Sequence, residues 1–280
     1  MSSFVSNRKT LWFVRLFFLA ALAAPIQLAQ AQSATSVDFV APKVFQAAGP
    51  NIDSIQSTVG KFRDALGAVN NGNNGPAGSG HREINWDGIN GATATTIPVT
   101  PFNTFLNTRG AQFTTPWTGL SQATPSGLAT LFNNPTYGVA FTAFSPFRLF
   151  TAVGSTITDT FFFVPGSNGT TRATVTGFGA VFTDVDQPNG SGPGEKQGNR
   201  RASTLIQYFG AHGQLLFSSL APASPGNGSV SFFGIMFQDA RIASVRIIAG
   251  DVAPGPNDDP ATDIVMMDDF IYGEPKVLIP

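Results

Sequence analysis

The chain has 280 residues, with 30 Gly, 20 Pro, 26 Phe and no Cys, and 12% of it is charged, about half the share of an ordinary soluble domain. Without Cys there are no disulfides, no thiolate metal sites and no Cys nucleophile. Residues 1–31 read as a secretory signal: Arg8 and Lys9 form a basic start, Leu16 to Ala24 an apolar run, and Ala29-Gln30-Ala31 a small-residue cleavage site. Arg15 breaks the apolar stretch before it reaches the roughly 20 residues of a membrane span. Cleavage removes Arg8, Lys9 and Arg15, which takes the basic count from 16 to 13 against 17 acidic residues and leaves a net charge of −4. An acidic chain without basic runs is a poor phosphate binder, so nucleic acid is not an expected partner. The expectation is a secreted protein, extracellular or periplasmic, with no membrane association after signal cleavage and a single domain over residues 32–280.

Ile52, Ile55, Val59, Phe62 and Leu66 recur at helical spacing, which predicts an amphipathic helix over residues 50–66. Pro50 suits its first turn, Asp53 its positive end, Lys61 and Arg63 its negative end, and Gly67 its left-handed cap. The Asn- and Gly-rich stretch 70–80 is expected as a loop. Residues 97–144 read as long loops and short strands.

From Phe147 onward, short runs of Phe, Val, Ile and Thr alternate with Gly, Pro, Asn and Asp, the texture of strands and turns. Strands are predicted at 158–164, 173–184, 203–209, 214–218, 230–237, 243–249 and 263–272. Gly210-Ala-His-Gly213 reads as a hairpin loop between the third and fourth of these. The pattern predicts an all-β fold, an antiparallel β-sandwich or jelly roll with one N-terminal amphipathic helix.

No complete catalytic motif is present, so no catalytic residue is assigned. H-E-x-x-H, G-x-S-x-G and G-x-x-x-x-G-K-[ST] are all missing. His81-Arg-Glu83 has the H-x-E spacing of zinc deaminases but lacks their Cys partners. His81 is therefore expected as a hydrogen-bonding loop residue and His212 as solvated surface at the hairpin tip.

The carboxylates carry more information. Asp184 and Asp186 follow a predicted strand, and alternation places both on one face if the chain stays extended. Glu195 lies eleven positions after Asp184, but Pro188 and Asn189 break the EF-hand pattern. Asp268 and Asp269 interrupt an apolar strand, so one of them is expected to face the interior or a sheet rim. Glu83 and Asp87 are further oxygen donors in an early segment that could meet the last strand of a jelly roll. Two readings of these six carboxylates stand: calcium, which takes hard oxygen ligands, or hydrogen bonds and Arg pairing.

Flat rings beside polar groups are a means of holding sugars. Trp86, Trp117 and Tyr137 are the candidate platforms, while Tyr208 and Tyr272 read as core or sheet-face residues inside strands.

Phe62-Arg-Asp-Ala-Leu-Gly67, Arg82-Glu-Ile-Asn-Trp-Asp-Gly88, Gly177-Phe-Gly-Ala-Val-Phe-Thr-Asp-Val-Asp186 and Met267-Asp-Asp-Phe-Ile-Tyr-Gly-Glu-Pro275 together resemble exported bacterial proteins related to PEP-CTERM cargo proteins. The resemblance implies an extracellular jelly-roll sandwich. The sequence departs from that group after Pro275, where the apolar and basic sorting tail does not follow. The expected function is non-catalytic binding of an extracellular glycan or matrix component, with calcium at the acidic strand ends. A structural exopolymer or surface-layer component, and a carboxylate-dependent glycoside hydrolase or lyase, are the alternatives.

Overall fold

The computed structural model describes residues 41–87, 97–186, 203–257 and 262–278. The expected signal at 1–31 and Glu195 lie outside these residues. Two antiparallel sheets stack face to face. The larger has the spatial order β1 (Lys43–Gly49), β11 (Val230–Met236), β8 (Gly177–Thr183), β13 (Met266–Gly273), β5 (Leu149–Val153), β4 (Gly119–Ala123), with β2 (His81–Ile84) also paired to β13. The smaller has the order β10 (Leu215–Leu220), β9 (Leu205–Phe209), β12 (Ser244–Ile248), β6 (Ile157–Phe162), β3 (Ala111–Thr114). A short pair, β7 (Ala173–Thr174) with β14 (Lys276–Val277), completes the set.

Phe113, Phe162, Tyr208 and Val245 of the smaller sheet meet Phe150, Phe178, Phe270 and Tyr272 of the larger one in the main core. Trp86 fills its centre and stacks on Phe150 with ring centroids 3.7 Å apart. The predicted helix is α1 (Asp53–Leu66), closed by Gly67, and it buries Ile55, Val59, Phe62 and Leu66. That face packs on the outer side of the larger sheet against Phe45, Val181, Phe232 and Ile271. The cross-strand pair Gly179 and Gly234 lets Phe62 lie close to the sheet, because a Cβ at Gly179 would stand 2.8 Å from its ring.

Helices α3 (Pro125–Phe132) and α4 (Tyr137–Ala140) cover another part of the same outer side through Leu128, Phe132 and Tyr137. One further short helix, α2 (Leu106–Arg109), precedes β3. With helices on one side and the second sheet on the other, β8 and β13 are buried along their whole length. Strands enclosed on both faces show continuous apolar runs where half-exposed strands alternate.

The predicted strands agree closely with the ladder, with two adjustments. The stretch 173–184 divides into β7 and β8, and residues 263–265 precede β13. The hairpin at Gly210–Gly213 forms, closed by Gly210 N–H to Gln214 O at 2.9 Å. In the 97–144 region α3 was not anticipated, although its signals are present: Thr124 caps Gly127 N–H at 3.0 Å, Pro125 opens the helix and Asn133 ends it in the left-handed region. His81 is a correction: it lies in β2 and is buried, because β2 pairs with the fully enclosed β13.

The loop 70–80 is ordered by a buried ion pair. Arg82, fully buried, donates through Nε and Nη2 to both carboxylate oxygens of Glu274 at 2.8 and 2.9 Å. Its remaining N–H groups reach the carbonyls of Gly72, Asn74, Gly75 and Thr108. Glu274 also accepts from Asn71 Nδ2 and Ala77 N–H. A loop without periodicity is thus held by one strand's guanidinium and the residue just past β13.

Removing one partner of such a pair strands a charge in the interior. Glu274→Ala is expected to cost about 3–5 kcal/mol, whereas Asp239→Ala, which breaks the exposed Arg241 pair, should cost less than about 1 kcal/mol. Urea unfolding of both variants measures the contrast, and equal costs would contradict it.

Candidate functional site

The two acidic groups identified in the sequence end up in different environments. On β13 the register shifts by one residue between Met267, opposite Phe182, and Phe270, opposite Ala180. A bulge of this kind breaks alternation, so Asp268 and Asp269 both find partners away from the inner core, at Phe144, Ser145 and Arg63, and both are buried because β13 is enclosed on both faces. The bulge also lies where the other edge of β13 changes partner from β5 to β2.

Asp268 accepts from Phe144 N–H at 2.6 Å, Ser145 N–H at 3.3 Å, Ser145 Oγ at 3.0 Å and Asp269 N–H at 2.8 Å. Burial, with the Asp269 charge beside it, pushes its carboxyl well above the usual range. Arg63 of α1 stands between Asp269 and Glu83, 3.4 Å from the first and 2.6 and 3.0 Å from the oxygens of the second. Burial and repulsion from Glu83 raise Asp269 to about 6.

At Glu83, Asp268 and Asp269 the structure shows protein partners. The cation there is a guanidinium, and Asp268 is enclosed by protein donors. Asp87 is likewise engaged, with Oδ1 accepting from Arg148 N–H at 2.8 Å. Burial raises its pKa.

His81 completes this network. Its Nδ1 faces the carbonyl of Gly67 and its Nε2 faces Glu83 Oε1 at 2.9 Å. Both neighbours are acceptors, so both contacts are hydrogen bonds only in the imidazolium form. Burial opposes that charge, but the Glu83 and Gly67 bonds outweigh it and raise the His81 pKa. Glu83 is lowered: burial opposes its ionisation, and the bonds from His81 and Arg63 prevail.

The second group opens to solvent. Asp184 follows β8 with φ 67°, so the chain does not stay extended. The left-handed turn buries Val185 while Asp184 and Asp186 both line one cleft of about 300 Å³. Thr136, Tyr137, Asn227, Thr262 and Asp263 also line it. Asp186 Oδ1 accepts from Gly226 N–H at 3.0 Å, and Asp186 N–H donates to Asp263 Oδ2 at 3.0 Å.

Asp263 further accepts from Ser203 Oγ, and its own N–H donates to Asp251 Oδ1 at 2.7 Å. Burial raises its carboxyl to about 7, with Asp186 and Asp251 adding repulsion. The sequence reading missed Asp263 as a site residue, since 77 positions separate it from Asp186. Its signal was an acidic residue just ahead of the apolar run of β13. Among the described residues, no three His, Cys, Asp or Glu side chains form a metal-binding group.

Two of the candidate rings are buried. Trp86 is fully buried and presents no face to a ligand. Tyr137 is also buried, its hydroxyl accepting from Gly255 N–H at 3.0 Å, although it contributes to the cleft wall. Trp117, between β3 and β4, is 68% exposed and remains an available ring. No family model matches the sequence, and comparison with curated proteins and with solved structures returns no match.

His81, Asp263 and Asp269 all bind protons more tightly folded than unfolded. Each contributes stability that is complete below its unfolded pKa and lost as pH rises through its folded value. Acidification from pH 8 to pH 5 is therefore expected to raise the melting temperature, down to the ordinary carboxylate range, where the unfolded chain begins to bind the proton that folded Glu83 still resists and the trend reverses. Asp263→Asn should reduce this slope by stabilising the protein at pH 8. Calorimetry across the range checks it, and a melting temperature that falls on acidification from 8 to 5 would contradict the assignment.

Proposed function

We propose that the chain is an exported, non-catalytic β-sandwich that binds an extracellular glycan or matrix polymer in the cleft of Asp184, Asp186 and Asp263. The observation that carries this reading is the cleft itself, an open volume of about 300 Å³ in which Asp184, Asp186, Asn227 and Thr136 supply polar groups beside Tyr137. Carboxylates and amides of this kind accept and donate to vicinal hydroxyls, the groups a sugar presents on its faces. Export rests on residues 1–31 and on the resemblance to exported bacterial proteins. Calcium belongs to the proposal at Asp184 and Asp186, where ligand hydroxyls would fill a shell that two carboxylates begin. Trp117 offers a separate stacking surface.

A glycan array probed with and without calcium tests the reading. Asp186→Asn is expected to weaken binding about tenfold, equivalent to roughly 1.4 kcal/mol, and Trp117→Ala to weaken it if the polymer reaches that ring. No binding to any polysaccharide, or binding indifferent to Asp186→Asn, would sink the proposal. One observation favours a second reading, a carboxylate-dependent hydrolase or lyase: an Asp263 carboxyl near neutrality beside Asp186 has the properties of a proton donor. Release of sugar ends that Asp263→Asn abolishes would establish that reading over simple binding.

A further inference from the structure

We propose that the outer face of the smaller sheet is a self-association surface, and that its occupant is the same face of a second copy of this chain. The inner face of this sheet belongs to the core, with Val245, Ile247, Thr158, Thr160 and Phe162 buried. Among the described residues no helix covers the outer face, and its central side chains are half-buried. Across all five strands the sequence places one acid and one base, Asp159 and Arg246. Solvent-facing sheets ordinarily carry many more charges, which keep them soluble and unpaired.

The two charges are cross-strand neighbours on β6 and β12, joined by a bidentate pair at 2.7 and 2.8 Å, with the Arg246 side chain 43% exposed. On one side of them the register places Ile248 opposite Ile157, and on the other Ser244 opposite Phe161. This arrangement is self-complementary. A two-fold axis parallel to the strands and midway between β12 and β6 sets β12 of one copy over β6 of the other. Arg246 then faces Asp159 of the second copy and the four charges alternate around a square. The same operation lays Ile248 on Ile157 and directs each Phe161 ring at the small Ser244. A two-fold axis perpendicular to the strands would instead stack Arg246 on Arg246, so the charges select one orientation. From outside the five strands, Arg172 lies over the Phe161 ring, its guanidinium 5.4 Å from the centroid, and adds a second base at that end of the face.

Five strands about 4.8 Å apart and three outward rows give a face of roughly 500 Å² per copy. That is the size of a functional patch and below the roughly 800 Å² per partner of tight complexes, so the dimer belongs to the weak, concentration-dependent class. Sedimentation equilibrium of the exported chain from about 5 to 500 µM is the direct measurement. The expected result is a monomer–dimer equilibrium with a dissociation constant in that range. Arg246→Glu should raise the constant at least about tenfold. The reciprocal swap Asp159→Arg with Arg246→Asp keeps the pair within each copy and recreates the square, so it should restore dimerisation.

Arg246→Glu sets two acids side by side and could unfold the sheet. The uncharged double variant Asp159→Asn with Arg246→Gln is therefore included, checked by thermal melting, and it too should weaken the dimer. A wild-type chain that stays monomeric at the top concentration overturns the proposal, as does a dimer that survives both folded variants unchanged.

Discussion

Strand β13 carries two adjacent carboxylates into a layer enclosed on both faces, and most of the surrounding architecture answers the cost of placing them there. An ionised carboxylate without partners in such a layer is prohibitively expensive. The bulge turns Asp268 toward the backbone of Phe144 and Ser145, which draws the segment leading into β5 against the sheet. Asp269 is shared through Arg63 with Glu83, which fixes the last turn of α1 to β2. His81, in its imidazolium form, adds a second cation to Glu83 and ties it to the carbonyl at the end of α1. Three segments distant in sequence are thereby oriented by one pair of residues.

The same strand ends at a second buried charge, Glu274, and there the solution is different. Arg82 matches it with a bidentate contact and uses its other donors on loop carbonyls. Guanidinium geometry suits this role because its donors are planar and fixed in direction, which a lysine ammonium cannot reproduce. A Gly- and Asn-rich loop with no packing signal of its own becomes ordered because its carbonyls are required by a charge in the core.

These enclosed networks differ from the cleft at Asp184, Asp186 and Asp263. In the first, every carboxylate is held by side chains or backbone of the sandwich and the polar groups serve cohesion. In the second, half-buried Asp184 and Asp186 line open volume and buried Asp263 stands behind them. The left-handed residue at Asp184 makes the difference, since it turns the chain out of β8 so that a buried Val185 separates two carboxylates facing one space. Placing such a turn at the rim of a sandwich is how a rigid scaffold presents polar groups without spending core packing on them.

The sequence by itself determined the strand and turn texture, the helix, read as 50–66 and formed at 53–66, and the hairpin at 210–213, because each depends on periodicity or turn chemistry within a few residues. It also marked Asp184, Asp186, Asp268 and Asp269 as anomalous, since acids next to apolar strands conflict locally with burial. Only the tertiary structure decided which of those acids meet solvent. Asp268 and Asp269 are committed to Arg63, Ser145 and the backbone by a one-residue bulge, a register detail that no local pattern encodes. Trp86 looked like a binding ring because it lies among polar residues, yet the pairing of β2 with β13 carries it into the core. Asp263 joined the cleft across 77 positions for the same reason: side-chain neighbours in a sandwich are set by strand order, and strand order is a property of the whole chain.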